Sequence, residues 1–394
     1  MTKFRNCVLT IFGTRPEVIK LAPILMLLEH GGDRIRAVNV ASGQHPDLVP
    51  PLVAMFRLRV DFHLRPRTGN DDPETMLGRV VQELLPIFRQ ESPDLVIVQG
   101  DTATALAGAM AGRLLGVPVA HVEAGLRSGD IRSPYPEELY RTRITQLATY
   151  HFAPTRGNRD LLLQEGISEA SIFVTGNSVV DALHMVLPKE PGLRAAKLLA
   201  KIAGRRYILL TTHRRESFNS ILEENLCTLR EFVEKHHDVV LLFPVHPNPV
   251  VRAAVQRCLT DDSRIILTEP LQYPDFLYLL SRSWLAVSDS GGIQEEVAVL
   301  GKPFLLILRT NTERPECIEA GLARLVGGRS EHLLALLEEA YLGASWVNPA
   351  RKKANPFGDG KSAERIVNLI SVLLNQRENG ARYEQGCGLQ TVGC

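Results

Sequence analysis

The stretch at 284–303, WLAVSDSGGIQEEVAVLGKP, constrains the fold more tightly than any other part of the chain. An apolar run at 285–287 stops at Ser288-Asp289-Ser290, two glycines follow, and apolar residues then recur at helical spacing over 293–300. That order predicts a strand, a tight turn and a helix. Such a turn can seat an anion: the first amides of a helix lack partners and carry partial positive charge, and glycine lets a phosphate approach the backbone. Ser290, Gly291 and Gly292 would face that ligand. Glu295 and Glu296 are not both expected to point inward, and Glu296, about one turn past the glycines, suits a ribose hydroxyl better than a phosphate. Taken alone, the stretch equally fits a serine cap followed by exposed glutamates, because it matches neither G-x-G-x-x-G nor the Walker lysine loop.

The same unit recurs along the chain. A strand at 8–12 runs into Gly13-Thr14-Arg15-Pro16, with proline at the start of a helix where its missing N–H costs nothing. Arg15 and Lys20 then sit near a second helix N-terminus, where Arg15 is either a ligand cation or a solvated surface charge. After a strand at 37–41 and an amphipathic helix at 75–88, the aliphatic run at 95–98 has the character of a buried parallel strand. It ends at Gln99-Gly100-Asp101-Thr102, and Asp101 also suits the cap of the alanine-rich helix that follows. A strand at 117–122 ends in Glu123, and a loop at 128–136 delivers Glu137 and Glu138 to a helix start. Asp101, Glu123 and Glu137 therefore follow successive strands at the edge where open α/β sheets bind ligands. Each alone could be a cap or half of a salt bridge; together they point to acid/base chemistry.

Strands at 150–153 and 172–174 finish the first half, and the pattern loosens over 188–204, where the linker is expected. The alternation then restarts, with strands at 207–212, 239–243, 265–267 and 304–308 flanking the anion seat. The first of these ends at His213 beside two arginines, which suits a phosphate or base role as readily as a surface one. The expected fold class is α/β, with two Rossmann-like domains facing each other across a cleft: 1–178 carrying the carboxylates and 205–360 binding a nucleoside diphosphate. A helix at 361–376 is expected to pack back on the first domain, with a loose glycine-rich tail from 375 onward.

Composition excludes several classes. A net charge of +1, with both signs interleaved, gives no nucleic-acid field. No apolar stretch approaches membrane-spanning length and the first is too short for a signal peptide, so a cytoplasmic protein is expected. Six scattered cysteines without C-x-x-C or Cys/His spacing indicate neither a disulfide framework nor a metal site.

Several motifs, taken in order, resemble the bacterial non-hydrolysing UDP-N-acetylglucosamine 2-epimerases. They are Gly13-Thr14-Arg15-Pro16-Glu17 with Lys20, Gly100-Asp101-Thr102, His121-Val122-Glu123-Ala124-Gly125-Leu126-Arg127 and Pro136-Glu137-Glu138 in the first half. In the second half they are His213-Arg214-Arg215-Glu216, Asp289 through Glu296, Thr312-Glu313-Arg314-Pro315-Glu316 and Asn355-Pro356-Phe357-Gly358-Asp359-Gly360. The resemblance implies a glycosyltransferase-B-like pair of Rossmann-type domains, usually dimeric, that interconverts UDP-GlcNAc and UDP-ManNAc through 2-acetamidoglucal without metal or nicotinamide. By position it implies Asp101, Glu123 and Glu137 as the acid/base set and His213 in support. Arg15 and Lys20 would address phosphates or sugar, and Ser290, Gly291 and Gly292 the diphosphate. Glu296 would hold the ribose, Phe276 the uracil, and Arg314 would bind nearby.

Two departures stand out. Pro46 follows Gln44-His45 where the family usually has arginine, which puts activation by a second UDP-GlcNAc in doubt, and Tyr140 replaces a common asparagine, which leaves a modified hexosamine open. Arg132, Arg141 and Arg143 nearby would suit an anionic sugar. A hydrolysing relative releasing ManNAc and UDP, a glycosyltransferase of the same fold and a non-catalytic UDP-sugar sensor are the competing readings.

Overall fold

Aliphatic runs such as Leu95–Gln99, buried along its whole length, become central strands of parallel sheets, because helices cover both faces of such a sheet. A computed structural model describes residues 6–30, 35–66, 72–212, 220–259, 262–347 and 354–387. The chain divides into two compact units, Met1–Ala182 with Gly358–Cys394, and Leu183–Phe357.

In the first unit the strands are β1 (Asn6–Phe12), β2 (Ile35–Ala41), β3 (Phe62–His63), β4 (Leu95–Gln99), β5 (Val119–Val122), β6 (Tyr150–Ala153) and β7 (Ile172–Val174). They pair in parallel in the order β3-β2-β1-β4-β5-β6-β7. The intervening helices are α1 (Arg15–His30), α2 (Val49–Phe56), α3 (Pro73–Glu91), α4 (Ala103–Leu114), α5 (Glu137–Leu147), α6 (Arg156–Gln164) and α7 (Ser178–Val186). Leu9, Ile11, Val96 and Val98 pack against Ala105, Ala107, Ala109 and Ala111 of α4, whose small side chains let the helix lie close on the sheet.

The second unit begins within α7 and continues with α8 (Leu193–Ile202), which buries Ala195, Leu198 and Ile202 where a loose linker was expected. Apolar spacing at 195, 198 and 202 is the helical signal that the surrounding Pro188, Pro191 and Gly192 obscured. Strands β8 (Arg206–Thr211), β9 (Val239–Pro244), β10 (Ile265–Thr268), β11 (Leu285–Ser288), β12 (Phe304–Ile307) and β13 (Ala323–Leu325) form a second parallel sheet. Its order is β10-β9-β8-β11-β12-β13. Helices α9 (Ser220–Lys235), α10 (Pro249–Cys258), α11 (Tyr273–Arg282), α12 (Gly291–Leu300), α13 (Pro315–Glu319) and α14 (Ser330–Tyr341) connect the strands. Both units are thus Rossmann-like and doubly wound, as the alternation in sequence implied.

The last helix, α15 (Ser362–Cys387), packs on α1 in the first unit. Asp181 caps it, its carboxylate accepting from the Ser362 and Ala363 amides at 3.2 and 3.0 Å. The helix continues to Cys387, so the tail expected to be loose from 375 is helical over much of its length. Glutamine, arginine, glutamate and alanine there favour a helix enough to carry it through the isolated glycines at 380 and 386. Among the described residues no helix is long and apolar enough to cross a membrane.

Candidate functional site

In each sheet the strand order reverses at one point, between β1 and β4 in the first unit and between β8 and β11 in the second. Loops that leave the carboxyl ends of strands at such a point splay apart and leave room for a ligand. Asp101 and Glu123 in the first unit, and Ser290, Gly291 and Gly292 in the second, follow the carboxyl ends of strands at or next to these places.

In the first unit, Lys20 on α1 forms a buried ion pair with Glu123, the residue after β5. Gln99 also donates to the Glu123 carboxylate, and Asn177 does so at 3.2 Å. Glu123 has φ +68°, a left-handed conformation uncommon for a residue with a Cβ, so its placement is held by these partners against backbone preference. A Cβ built on Gly100 would lie 3.6 Å from Glu123 Oε2, so the carboxylate stands against the turn that carries Asp101.

Asp101 does not cap α4. Thr102 is the cap, accepting from the Ala105 amide at 3.0 Å, and this releases the Asp101 carboxylate to pair with Arg141 at 2.5 Å. Arg141, buried on α5, also donates to Glu138 at 2.6 Å, and Glu138 accepts from the Ser128 amide at 2.9 Å. Its charge therefore already lies between two carboxylates, which takes away its support for an anionic sugar. Glu137 is half-buried at the first residue of α5, and the neighbouring Glu138 carries the ion pair. Tyr140 is buried in the core with Ile144, beside Leu106 and Met110 in an apolar groove among α3, α4 and α5. His121 is buried, with Nε2 2.8 Å from the Gly100 carbonyl oxygen, and burial pushes its pKa down to about 3.

Arg15 is exposed at the first position of α1. The α1 N-terminus below it is already filled by its own side chain. Glu17 Oε2 accepts from the Gly13 and Thr14 amides at 2.9 and 2.7 Å, and Oε1 accepts from the Thr102 hydroxyl at 2.6 Å. Sequence reading passed over Glu17, although a glutamate at the third helical position is the signal for a carboxylate that reaches back to the helix start. Gln99 and Asn177 had no role assigned from sequence, and of the adjacent pair Glu137-Glu138 only Glu137 was given one, although Glu138 carries the ion pair.

In the second unit, α12 starts at Gly291 with Ser290 in the cap position, yet the Ser290 hydroxyl makes no capping hydrogen bond to the first turn. Ser288 Oγ takes the Ser290 amide at 3.0 Å, and Asp289, fully buried, accepts from Thr212 at 2.8 Å. Both glutamates of α12 are buried, which corrects both the exposed pair and the expectation that only one could face inward. Glu295 pairs with Arg314 Nε at 2.6 Å, and Glu296 accepts from the Tyr273 hydroxyl at 2.9 Å. Arg314 also reaches Glu313 at 2.6 Å, and Glu313 is shared with Arg309 at 2.6 Å. The Arg314 guanidinium lies so close over the first residue of α12 that a Cβ at Gly291 would sit 2.5 Å from Nη1. Phe276, half-buried, stands in the first turn of α11 with Tyr273. The Nε2 of Gln294, buried in α12, has no hydrogen-bond partner among the described residues. Helix-start amides under a guanidinium suit a phosphate. His213 lies outside the described residues.

The sequence profile of the UDP-N-acetylglucosamine 2-epimerase family matches residues 30–371. The chain is 38% identical over 371 residues to UDP-N-acetylglucosamine 2-epimerase of Escherichia coli strain K12, covering 92% of this chain and 98% of that protein. Among solved structures, the S. aureus MnaA–UDP co-structure superposes with a TM-score of 0.87 at 35% identity, covering 94% of this chain and 97% of the other. UDP-GlcNAc 2-epimerase from Neisseria meningitidis, bound to UDP-GlcNAc, does so with a TM-score of 0.85 at 34% identity, covering 92% and 99%.

Proposed function

The chain belongs to the UDP-N-acetylglucosamine 2-epimerase family, and from that premise we propose that it interconverts UDP-GlcNAc and UDP-ManNAc by inverting C2 of the hexosamine. As an epimerase it must break a C–H bond that no neighbouring carbonyl acidifies. Elimination solves this. A base takes the C2 proton, the C–H electron pair becomes the C1=C2 bond of 2-acetamidoglucal, and the C1–O pair departs with UDP. Re-addition of UDP at C1, with C2 protonated on the opposite face, gives the epimer.

This route needs a base, an acid and a strong hold on the leaving diphosphate. Asp101, Glu123 and Glu137 would supply the first two, with Arg15 and Lys20 toward the phosphates or sugar and His213 in support. Ser290, Gly291 and Gly292 would take the diphosphate, Arg314 would bind beside it, Glu296 the ribose and Phe276 the uracil. The observation that carries the reading is the pair of carboxylates at the ends of adjacent strands, Asp101 after β4 and Glu123 after β5, each held by a buried cation. A carboxylate held in one orientation is placed to meet a substrate proton. We propose further that the protein acts in the cytoplasm as a homodimer; the apolar groove of about 610 Å³ lined by Leu77, Leu106, Met110 and Leu147 supports an apolar contact on the first unit.

The test is incubation of the protein with UDP-GlcNAc in deuterated water. Deuterium at C2 of both UDP-sugars is expected. A UDP-ManNAc product free of solvent label would overturn the elimination route, and free ManNAc with UDP in place of UDP-ManNAc would make the enzyme a hydrolase.

A further inference from the structure

We propose that Glu17 is a positioning residue of the epimerase reaction: its carboxylate ties the turn that carries Arg15 to the turn that carries Asp101 and sets the two relative to each other. The inference rests on the function proposed above and assigns a part in it to a side chain that does not itself touch the sugar.

Glu17 is fully buried, and its two oxygens serve different strands. Oε2 holds the Gly13 and Thr14 amides, immediately before Arg15, at 2.9 and 2.7 Å. Oε1 accepts from the Thr102 hydroxyl, immediately after Asp101, at 2.6 Å. The same hydroxyl accepts from the Ala105 amide at 3.0 Å, so the bridge ends on the cap of α4 rather than on a free rotor. One turn further along α1, Lys20 performs the matching task for Glu123. The buried face of α1 therefore reaches the residues after both β4 and β5.

A second set of bonds surrounds the bridge. The His45 amide donates to the Gly13 carbonyl at 2.8 Å, Ser42 and Thr104 share a hydroxyl bond of 2.6 Å, and Thr104 donates to the Gln44 side chain at 2.7 Å. A Cβ on Gly13 would run into the Ser42 and Thr104 hydroxyls, so these turns interlock with no room to adjust. Within this knot Glu17 supplies the bridging carboxylate, and burial pushes its carboxyl up to about 7. A group that costly to bury does more than fill space.

The test compares wild type with Glu17→Leu, Glu17→Gln and Thr102→Val. Folding is checked by circular dichroism and melting temperature, and kcat and KM for UDP-GlcNAc and deuterium uptake at C2 are measured. Leucine fills the site without bridging it, and a displacement on the order of 1 Å at a reacting group costs about 100-fold in rate. Glu17→Leu is therefore expected to lose about 100-fold in kcat with a much smaller change in KM. Glutamine spans the same gap, accepting from the amides and donating to Thr102, and should retain most of kcat. Thr102→Val cuts the far end of the bridge, so it should lower kcat, and Glu17→Leu/Thr102→Val should be no worse than Glu17→Leu alone. Folded Glu17→Leu and Thr102→Val proteins with wild-type kcat, whatever their melting temperatures, would overturn the inference; if Glu17→Leu does not fold, Thr102→Val decides alone. A wild type that neither makes UDP-ManNAc nor takes up deuterium would sink the functional reading and this inference with it. An active wild type with unimpaired variants would sink the inference only.

Discussion

Lys20 and Glu123 meet as an ion pair in which neither residue is as much as a tenth exposed, one on the helix after β1 and the other just past β5. The Glu123 backbone is strained, and Gln99 and Asn177 hold its carboxylate as well. The group's direction is thus fixed before any substrate arrives, which lowers the reorganisation a reaction must pay.

Removing the cation from that pair leaves a buried carboxylate without its counter-charge. Lys20→Met is expected to destabilise the protein by about 3–5 kcal/mol in denaturant unfolding. Lys20→Met/Glu123→Gln, which removes both charges, should recover part of the loss. A single variant as stable as wild type would show that the pair contributes no buried electrostatics.

Two buried groups of the first unit make stability depend on pH in opposite senses. Glu17 is raised from 4.5 to about 7, so the folded state binds its proton more tightly. The stability it contributes is complete below pH 4.5 and is lost as pH rises through 7. His121 is lowered from 6.5 to about 3, so its contribution is complete above pH 6.5 and is lost as pH falls toward 3. Melting temperatures of Glu17→Gln and His121→Gln from pH 4 to 8 separate the two. The glutamate variant should lose less stability than wild type between pH 5 and 8, and the histidine variant less between pH 6 and 4. Parallel profiles for all three proteins would contradict these shifts.

How much of this was legible in the sequence depended on the range of the interaction. Aliphatic runs and helical spacing are local, so the strands and most helices could be read directly, as could the strand-glycine-helix turn at 288–292. Asp101 looked like a helix cap because a carboxylate beside a helix start usually is one, but Thr102, one residue on, took that place and freed Asp101 for Arg141, 40 positions away. The burial of Glu295 and Glu296 depends on Arg314 and Tyr273, neither of which a helical pattern reveals. Glu17 left a local trace, but its second contact, with Thr102, exists only once β1 and β4 lie side by side.

The two glycines that open α12 are not equivalent. A Cβ at Gly291 would lie 2.5 Å from Arg314 Nη1 and 2.8 Å from Glu313 Oε1, whereas at Gly292 the nearest neighbour is Ser290 Oγ at 3.8 Å. Gly291→Ala must push the guanidinium aside and should lower the melting temperature. Gly292→Ala adds only ordinary contact and gains helix propensity of up to about 1 kcal/mol, so it should melt at or above wild type. Equal effects would mean that Arg314 yields at no cost.

Arg314 offers the sharpest test of the proposal that the second unit holds a diphosphate. Among the described residues, Arg309, Arg314, Glu295 and Glu313 form one linked group of two arginines and two glutamates. Arg314→Leu leaves two buried carboxylates against one arginine, so it both removes a donor over the α12 amides and turns the surroundings negative. Truncating one member of a buried charge pair costs about 2 kcal/mol or more, which is roughly 30-fold in affinity. UDP binding measured by calorimetry should weaken by at least that factor. Arg314→Lys keeps the charge but not the fork that spans two carboxylates, and should fall between leucine and wild type. If charge balance is the larger part of the effect, Arg314→Leu/Glu313→Gln should bind UDP better than Arg314→Leu alone. If the double variant binds no better, Arg314 acts through its geometry over Gly291.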